Sequence, residues 1–237
     1  MTTVMTLVAD EPSAPEDMPA TVGRLQRLCR AASRDLSATG VGVSLVSEAG
    51  ELVSTAASNR ASAAVEDLQV TMGEGPCLAA FSSRRPVLVP DIAESDAMAW
   101  LGYRPAVLEH GVRAVFAFPL QVGAARLGVL DVYHGRTGAL SRWELSRALT
   151  YADVAMQTVL AAKASAEETV LLLTGGGSVR LEVYQAQGMV MAQLRIGAAE
   201  ALSRMRAHAY ATNQSLRDVA DGIISRRVVL EQDDPGS

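Results

Sequence analysis

The sequence predicts two folded units, an α+β domain with a mainly antiparallel sheet and flanking helices, followed by an all-α bundle of three helices. Two observations predict the first unit: β-type runs come in pairs joined by turn residues, and a long helical pattern follows the second pair. A third observation predicts the second unit. After the consecutive glycines Gly175 to Gly177, three short amphipathic helical patterns follow one another.

Composition and periodicity set the expected boundaries. Residues 1–20 carry Pro, Ser, Asp and Glu in a cluster, which predicts a disordered N-terminal segment. We expect the α+β domain over 21–172, a glycine hinge over 173–178, the helical bundle over 179–230 and an acidic tail over 231–237. The 237 residues are enough for two separate hydrophobic cores.

The first half of the α+β domain begins with a helix, because apolar residues recur at helical spacing over 22–36. Two β-type runs around the turn residues 48–50 then predict a hairpin. A short helical pattern covers 61–68. Pro76 suits the first turn of a helix that ends near Ser83, and a short strand follows and ends at Pro90.

The second half of this domain contains a predicted helix over 95–110 and a second hairpin. The hairpin consists of the runs VRAVFAFPLQ and ARLGVLDVY, joined by a turn near Gly123. A long helix then begins at Ser141, a good N-cap residue, and Glu144 completes the pattern of a capping box. Its helical spacing persists to about Leu172.

The first helix of the bundle is predicted over 179–194. The second runs from the cap Gly197 to near Asn213, and the third starts from a cap at Ser215. The third has apolar residues at the spacing of one helix face, from Leu216 to Ile224. Gly188 lies inside the first helix, where a glycine often indicates close approach of another helix or of a ligand backbone. None of these helices is long enough to be stable alone, so we expect them to pack together.

Charge and cysteine content narrow the class of protein. The formal net charge is −5, but residues 178–230 carry seven arginines against four acidic residues, a weak indication of a polyanion-binding segment.

Two cysteines, Cys29 and Cys77, are not a disulfide framework and favour a reducing compartment. With no basic leader and no membrane-length apolar run, we expect a cytoplasmic protein without membrane association.

Several motifs of the α+β domain occur together in a characteristic order. A Gly-Glu-Gly-Pro-Cys turn over 73–77 opens a helix, a Pro-Val-x-Val-x-Asp strand starts at Pro86, and Gly-Val-Arg-x-Val precedes Phe118-Pro119-Leu120. The strand Leu-Gly-Val-Leu-x-Val-Tyr ends at Tyr133. Residues 22–164 therefore resemble the GAF domain family. The resemblance implies a signal-sensing fold with a pocket between sheet and helices, for which Cys77, Phe118 and Tyr133 are the candidate lining residues.

The sequence does not identify the ligand of such a pocket. The Asn-Lys-Phe-Asp-Glu signature of GAF domains that bind cyclic nucleotides does not occur. Cys77 is either a chromophore attachment site, as in bilin-binding relatives, or a small buried apolar residue, and we favour the second. His110 and His134 have no partner motif that would indicate haem. Because no catalytic set, phosphate loop or metal-ligand spacing stands out, we expect no enzyme, no cofactor and no metal.

The helical bundle carries a second set of motifs. Ala186-x-Gly188 is followed by Met191, Glu200-Ala201 precedes Arg206, and Asn213-x-x-Leu216-Arg217-Asp218-Val219-Ala220 follows. Over 179–229 this spacing resembles the ANTAR family of transcription antitermination regulators. The resemblance implies binding of RNA hairpins in nascent transcripts. The candidate RNA-binding residues are Arg180, Gln187, Arg206, Asn213, Ser215 and Arg217.

One position departs from the ANTAR pattern, because Gln187 stands where the family often has lysine, and glutamine gives up one charge contact. Tyr184 and Tyr210 are the only candidate aromatic platforms, so hairpin shape and loop readout fit better than base stacking. The alternatives are a protein-interaction module that never contacts RNA and a DNA-binding helix-turn-helix, in which Asp218 and Asp221 would face phosphates.

We also expect a homodimer. The long helix over 141–172 would pair with its copy, and two weakly basic units acting together would gain affinity for a pair of hairpins. A small-molecule or protein signal at the GAF-like domain would then act by shifting this helix.

Overall fold

The structure is a computed structural model that describes residues 2–15, 18–46, 52–95, 99–163, 178–212, 214 and 216–230. The chain divides into two compact units, Met1–Gly176 and Gly177–Ser237. The predicted hinge over 173–178 lies outside the described residues except for Ser178, and so do the end of the long helix beyond Lys163 and the predicted tail over 231–237.

The first unit contains a five-stranded sheet in the order β2-β1-β5-β4-β3, in which all neighbouring strands are antiparallel. The strands are β1 Gly40–Val46, β2 Leu52–Ala57, β3 Val87–Val89, β4 Ala114–Val122 and β5 Ala125–His134. Both predicted hairpins are confirmed as the pairs β1–β2 and β4–β5. The two hairpins meet where β1 pairs with β5 at the centre of the sheet.

Helices cover both faces of this sheet. α2 and α6 pack on one face, and α3, α4 and α5 pack on the other. The helices of this unit are α1 Thr2–Ala9, α2 Ala20–Asp35, α3 Arg60–Met72, α4 Pro76–Ser83, α5 Tyr103–Glu109 and α6 Arg142–Lys163. The α+β class predicted from the sequence is confirmed by this arrangement.

Side chains alternate across the sheet, as the pleat of a strand requires. Phe116 and Phe118 of β4 and Leu130 of β5 lie in the core beneath α2 and α6. Ala117 and Tyr133 lie on the opposite face, in the cores beneath α3, α4 and α5. This alternation decides which candidate pocket residues can meet.

The N-terminal segment differs from the predicted disorder over 1–20. Residues Thr2–Ala9 form α1, whose Val4 is fully buried in the core beneath α2 and α6. Glu11 is also buried and forms ion pairs with Arg30, at 3.6 Å, and with Arg34. The acidic composition suggested disorder, but Val4 and Glu11 attach the described residues 2–15 to the first unit through burial and ion pairing.

The predicted helix over 95–110 is shorter in the structure, where α5 spans Tyr103–Glu109. Glu74 accounts for its start, because its Oε1 accepts hydrogen bonds from the backbone N–H groups of Gly102 at 2.6 Å and Tyr103 at 2.8 Å. A carboxylate there satisfies donors that the first helical turn leaves free. The capping box predicted for α6 is confirmed: Ser141 N donates to Glu144 Oε2 at 2.7 Å, and Glu144 N donates to Ser141 Oγ at 3.2 Å.

The second unit is the predicted three-helix bundle, with α7 Ser178–Leu194, α8 Ala198–Thr212 and α9 Leu216–Ile224. Its own core consists of Ala186, Val190, Leu194, Ala201, Leu202, Met205, Ala209, Leu216, Val219, Ala220, Ile223 and Leu230. A Cβ built at Gly188 has no atom within 4 Å, so no other described helix approaches this glycine closely, and the approach of a ligand backbone stays a prediction. The predicted cap Ser215 lies outside the described residues.

Candidate functional site

A group of polar side chains lies buried on the sheet face beneath α3 and α4. We call it the polar cluster; its members are Ser44, Glu66, Gln69, Cys77, Asp131 and Tyr133. None of the six is more than 2% exposed to solvent. Polar groups that are so completely removed from water need hydrogen bonds or a ligand to offset their lost hydration.

Local structure brings the cluster together. Glu66 and Gln69 lie one turn apart on α3, and Asp131 lies on β5 opposite Gly42 of β1 and Ala117 of β4. These small neighbours leave room above the sheet. A Cβ at Gly42 would collide with the Glu66 carboxylate, so a glycine at this position lets Glu66 lie over β1.

Hydrogen bonds connect the cluster into a chain. Tyr133 OH donates to Glu66 Oε1 at 2.6 Å, and Ser44 Oγ donates to Glu66 Oε2 at 2.6 Å. Gln69 Nε2 donates to Tyr133 OH at 3.2 Å, and the backbone N–H of Cys77 donates to Gln69 Oε1 at 2.8 Å. The chain thereby ties α3 to β1, to β5 and to the start of α4.

The Gly-Glu-Gly-Pro-Cys turn shapes this region. Gly73 ends α3 in the left-handed conformation, with φ of 68°. Gly75 has φ of 132°, and a Cβ built on it would lie 2.5 Å from Gln69 Oε1, so both the backbone and the available space require glycine. Pro76 then begins α4, as predicted, and places Cys77 against the cluster.

Asp131 is the member of the polar cluster whose hydrogen bonding is incomplete. Neither of its carboxylate oxygens accepts a hydrogen bond of full geometry among the residues that the structure describes, although the side chains of Cys77, Glu66 and Gln69 lie close enough to influence its pKa through hydrogen bonding. Burial raises the pKa of Glu66 to about 7, and burial together with the charge of Glu66 raises the pKa of Asp131 well above its usual value. Burial also raises the pKa of the Cys77 thiol. The arrangement can therefore accept protons or a cation.

The three predicted pocket residues do not all meet. Cys77 and Tyr133 belong to the polar cluster, whereas Phe118 lies on the other face of the sheet, in the core beneath α2 and α6. Sequence reasoning missed Glu66 and Asp131. An available signal was the position of Asp131, an acidic residue in the middle of the otherwise apolar run Leu127–Val132.

The two histidines considered above as haem ligands do not belong to the polar cluster. His134 is buried, with its ring edge-on to Phe116 at a centroid distance of 5.7 Å. Burial and the charge of Arg136 lower the pKa of His134, so its imidazole is neutral at neutral pH. His110 is exposed, and its Nδ1 lies 3.0 Å from the carbonyl oxygen of Ala106.

In the second unit, the candidate RNA-binding residues fall on all three helices. Arg217 of α9 is exposed, and its Nε lies 3.6 Å from Oε2 of Glu182 on α7. Arg206 of α8 is partly exposed. Gln187 is 8% exposed and donates from Nε2 to the carbonyl oxygen of Ala198 at 2.8 Å, which holds α7 to the start of α8.

The remaining candidates of this unit are not all covered by the structure. Arg180 lies on the first turn of α7, where the side chains are outside the described part, and Asn213 and Ser215 are outside it altogether. Other groups are exposed on the bundle. Tyr210 is 64% exposed, and Arg226 and Arg227 are exposed after the end of α9.

Comparison with known families and structures agrees with the two units. A GAF domain family model matches residues 23–158, and an ANTAR domain model matches residues 178–224. No curated protein was found to match the sequence. Among the helices that the structure describes, none is long and apolar enough to cross a membrane.

Two similar solved structures are GAF domains of phosphoenolpyruvate-protein phosphotransferases. The domain from Coxiella burnetii is 17% identical with a TM-score of 0.53, and the domain from Acinetobacter is 12% identical with a TM-score of 0.52. In both cases the match covers 69% of this chain and 92% of the other. At this level of identity the similarity concerns the fold.

Proposed function

Because this chain belongs to the GAF domain family and carries an ANTAR domain, we propose that it is a signal-responsive transcription antitermination regulator. In this proposal the ANTAR domain binds RNA hairpins in nascent transcripts, and the GAF domain controls that binding. The observation that carries the proposal is the presence of a sensor fold and an ANTAR domain in one chain. Both are regulatory domains, and we include in the proposal that the protein is cytoplasmic and has no catalytic activity.

The charge of the second unit supports an RNA-binding surface. Its core is formed by small and aliphatic residues, and its arginines lie outside that core. We propose that Arg206 and Arg217 contact phosphates, with Arg180, Asn213 and Ser215 as further candidates. Gln187 would act by orienting the start of α8, because its amide nitrogen is already bonded to Ala198.

We further propose a homodimer formed through α6. Leu149 and Leu160 are 43% and 38% exposed, and Met156 lies partly exposed between them, so an apolar stripe at helical spacing faces solvent. Asp153 interrupts this stripe. Pairing of two copies would place two ANTAR domains on one RNA, and a signal that shifts α6 would change their spacing.

RNA binding is tested with the full chain and fluorescently labelled RNAs that contain two adjacent hairpins, with an unpaired RNA of equal length for comparison. We expect anisotropy to report preferential binding of the paired hairpins, with an affinity that falls as salt rises. Arg217→Ala should weaken binding. It should also reduce the salt slope, the slope of log affinity against log salt concentration, by the amount that about one phosphate contact contributes. The matched control is Arg60→Ala, which removes an exposed arginine from α3 of the first unit.

Glu182→Gln should change the RNA affinity in the opposite direction to Arg217→Ala. Glu182 is an acidic partner of Arg217, so neutralising it removes a negative charge that would repel a phosphate near this guanidinium. We expect tighter RNA binding and a steeper salt slope than in the parent protein. If the parent protein binds no hairpin RNA, or if Arg60→Ala weakens binding as much as Arg217→Ala, the protein-interaction module replaces the RNA-binding proposal.

The homodimer is tested by sedimentation velocity at micromolar concentration. We expect the parent protein to sediment as a dimer and Leu160→Glu to shift it toward monomer, because a charge would be buried in the paired face. Thr150→Glu, on the same helix but beside the stripe, is the control. A parent protein that sediments as a monomer with and without RNA contradicts the dimer.

A further inference from the structure

We propose that the polar cluster binds a single divalent transition-metal ion, of the class of zinc or iron(II), through Glu66, Cys77 and Asp131. This inference goes beyond the regulator proposed above, which names no ligand for the GAF domain. It concerns the first unit alone and does not depend on RNA binding.

The distances suit one ion. One carboxylate oxygen of Glu66, one of Asp131 and the Sγ of Cys77 all lie within 4.8 Å of one another, and all three residues are buried. Oxygen ligands lie about 2.1 Å and thiolate sulfur about 2.3 Å from zinc, so two ligands of a tetrahedral ion are about 3.4–3.6 Å apart. The three donor atoms would draw together to that separation when they bind the ion.

The donor set selects the class of ion. A thiolate beside two carboxylates disfavours magnesium and calcium, which prefer all-oxygen sites, and favours a borderline or softer first-row metal. Donor atoms this close together leave space for one atom between them and not for an organic cation. Fully ionised, the three ligands would carry three negative charges in a dry interior, and a divalent ion offsets most of that charge.

The surroundings already resemble the outer shell of a metal site. Both oxygens of Glu66 are oriented by hydroxyl donors, Ser44 and Tyr133, and the backbone of Cys77 is held by Gln69. Hydrogen bonds of this kind orient ligands in metal proteins. Each Glu66 oxygen retains a lone pair beyond its hydrogen bond, so ligation and orientation are compatible.

Unpartnered buried atoms point independently to a ligand. The hydroxyl of Tyr103 has no hydrogen-bond partner among the described residues, and neither oxygen of Asp131 accepts a hydrogen bond of full geometry there. Neither residue is exposed to solvent. Tyr103 belongs to α5, outside the acidic pair, yet Asp131, Glu66 and Cys77 all act on its hydroxyl electrostatically. Three protein ligands leave a coordination position for a water, which could accept a hydrogen bond from Tyr103.

The test uses the full chain, stripped of metal with a chelator and then titrated with cobalt(II) under anaerobic conditions. We expect one cobalt per chain, with a thiolate-to-cobalt charge-transfer absorption in the near ultraviolet that zinc abolishes on competition and magnesium does not. Cys77→Ser should remove this absorption. Cys29→Ser is the matched control, because Cys29 is equally buried but lies in the core beneath α2 and α6.

Asp131→Asn tests the site without altering the thiol. It keeps the size of the side chain and removes its charge, so affinity for zinc should fall at least tenfold while circular dichroism stays that of the parent. If the folded parent binds neither cobalt nor zinc stoichiometrically, or if Asp131→Asn binds as tightly as the parent, the proposal is wrong. Charge-transfer absorption that survives in Cys77→Ser would overturn it equally. Because no RNA is present, none of these results bears on RNA binding.

Discussion

Substituting Gly75 tests whether the Gly-Glu-Gly-Pro-Cys turn is shaped by the polar cluster. Gly75 has φ of 132°, and an added Cβ would lie 2.5 Å from Gln69 Oε1 and 3.0 Å from Gln69 Cγ. Gln69 is 1% exposed and held by two hydrogen bonds, so its side chain cannot move into solvent without breaking them. Gly75→Ala therefore imposes backbone strain and also displaces Gln69.

The backbone strain and the displacement of Gln69 each have an expected cost in free energy of unfolding, and a control variant separates them. An alanine in this part of the φ range is strained by about 1–3 kcal/mol. Displacing Gln69 leaves the backbone N–H of Cys77 without its acceptor and removes the donor to Tyr133 OH. Each broken hydrogen bond in a buried site costs about 1–2 kcal/mol. Gly138→Ala is the matched control, because Gly138 has φ of 129° and a Cβ there meets nothing within 4 Å.

We expect both alanine variants to be destabilised, and Gly75→Ala to lose about 2–4 kcal/mol more of the free energy of unfolding than Gly138→Ala. Urea denaturation followed by circular dichroism measures both values on the full chain. Equal losses would mean that Gln69 relaxes without penalty, and the argument that the cluster dictates this glycine would then fail.

Two further predictions concern ionisation in the first unit. Glu66→Gln should gain stability relative to the parent as pH rises in the presence of a chelator. Its folded-state pKa of about 7 exceeds the unfolded value of 4.5, so the parent loses about 3 kcal/mol across that interval and the amide does not. Denaturation series from pH 4 to 8 measure this difference, and a constant difference contradicts it. Secondly, neither Cys29 nor Cys77 should react with a thiol-disulfide reagent in the native protein, because burial raises the pKa of both thiols. Both should react after unfolding, and native labelling at the rate of an exposed thiol would refute the prediction.

The elements that were predictable from the sequence are those with strong local signals. The pairs of β-type runs became β1–β2 and β4–β5, and the Ser141–Glu144 capping box begins α6 because cap chemistry depends on residues three positions apart. The start of α5 was not predictable in this way. It depends on Glu74, a residue from a distant turn.

The polar cluster was missed for a related reason. Glu66 and Asp131 come from different elements and meet only because β1 pairs with β5 and places Gly42 beside Asp131. Strand register is a tertiary property, so no local pattern links the two carboxyl groups. Cys77 and Tyr133 were found by resemblance to a family, but Phe118 shows that such motifs do not state which face of the sheet a residue occupies.

The two units differ in where their polar chemistry lies, and this difference limits what each can recognise. In the first unit the unusual groups are interior, and side chains no more than 2% exposed can interact only with something that fits between helices and sheet. A proton or a metal ion meets that requirement, whereas a macromolecule does not. In the second unit Arg217, Arg226 and Arg227 are at the surface, where a polyanion is neutralised by direct contact. A regulator with this division would convert a small interior event into a change at an exposed surface, and α6, the last described helix before the second unit, is the element through which we expect that change to pass.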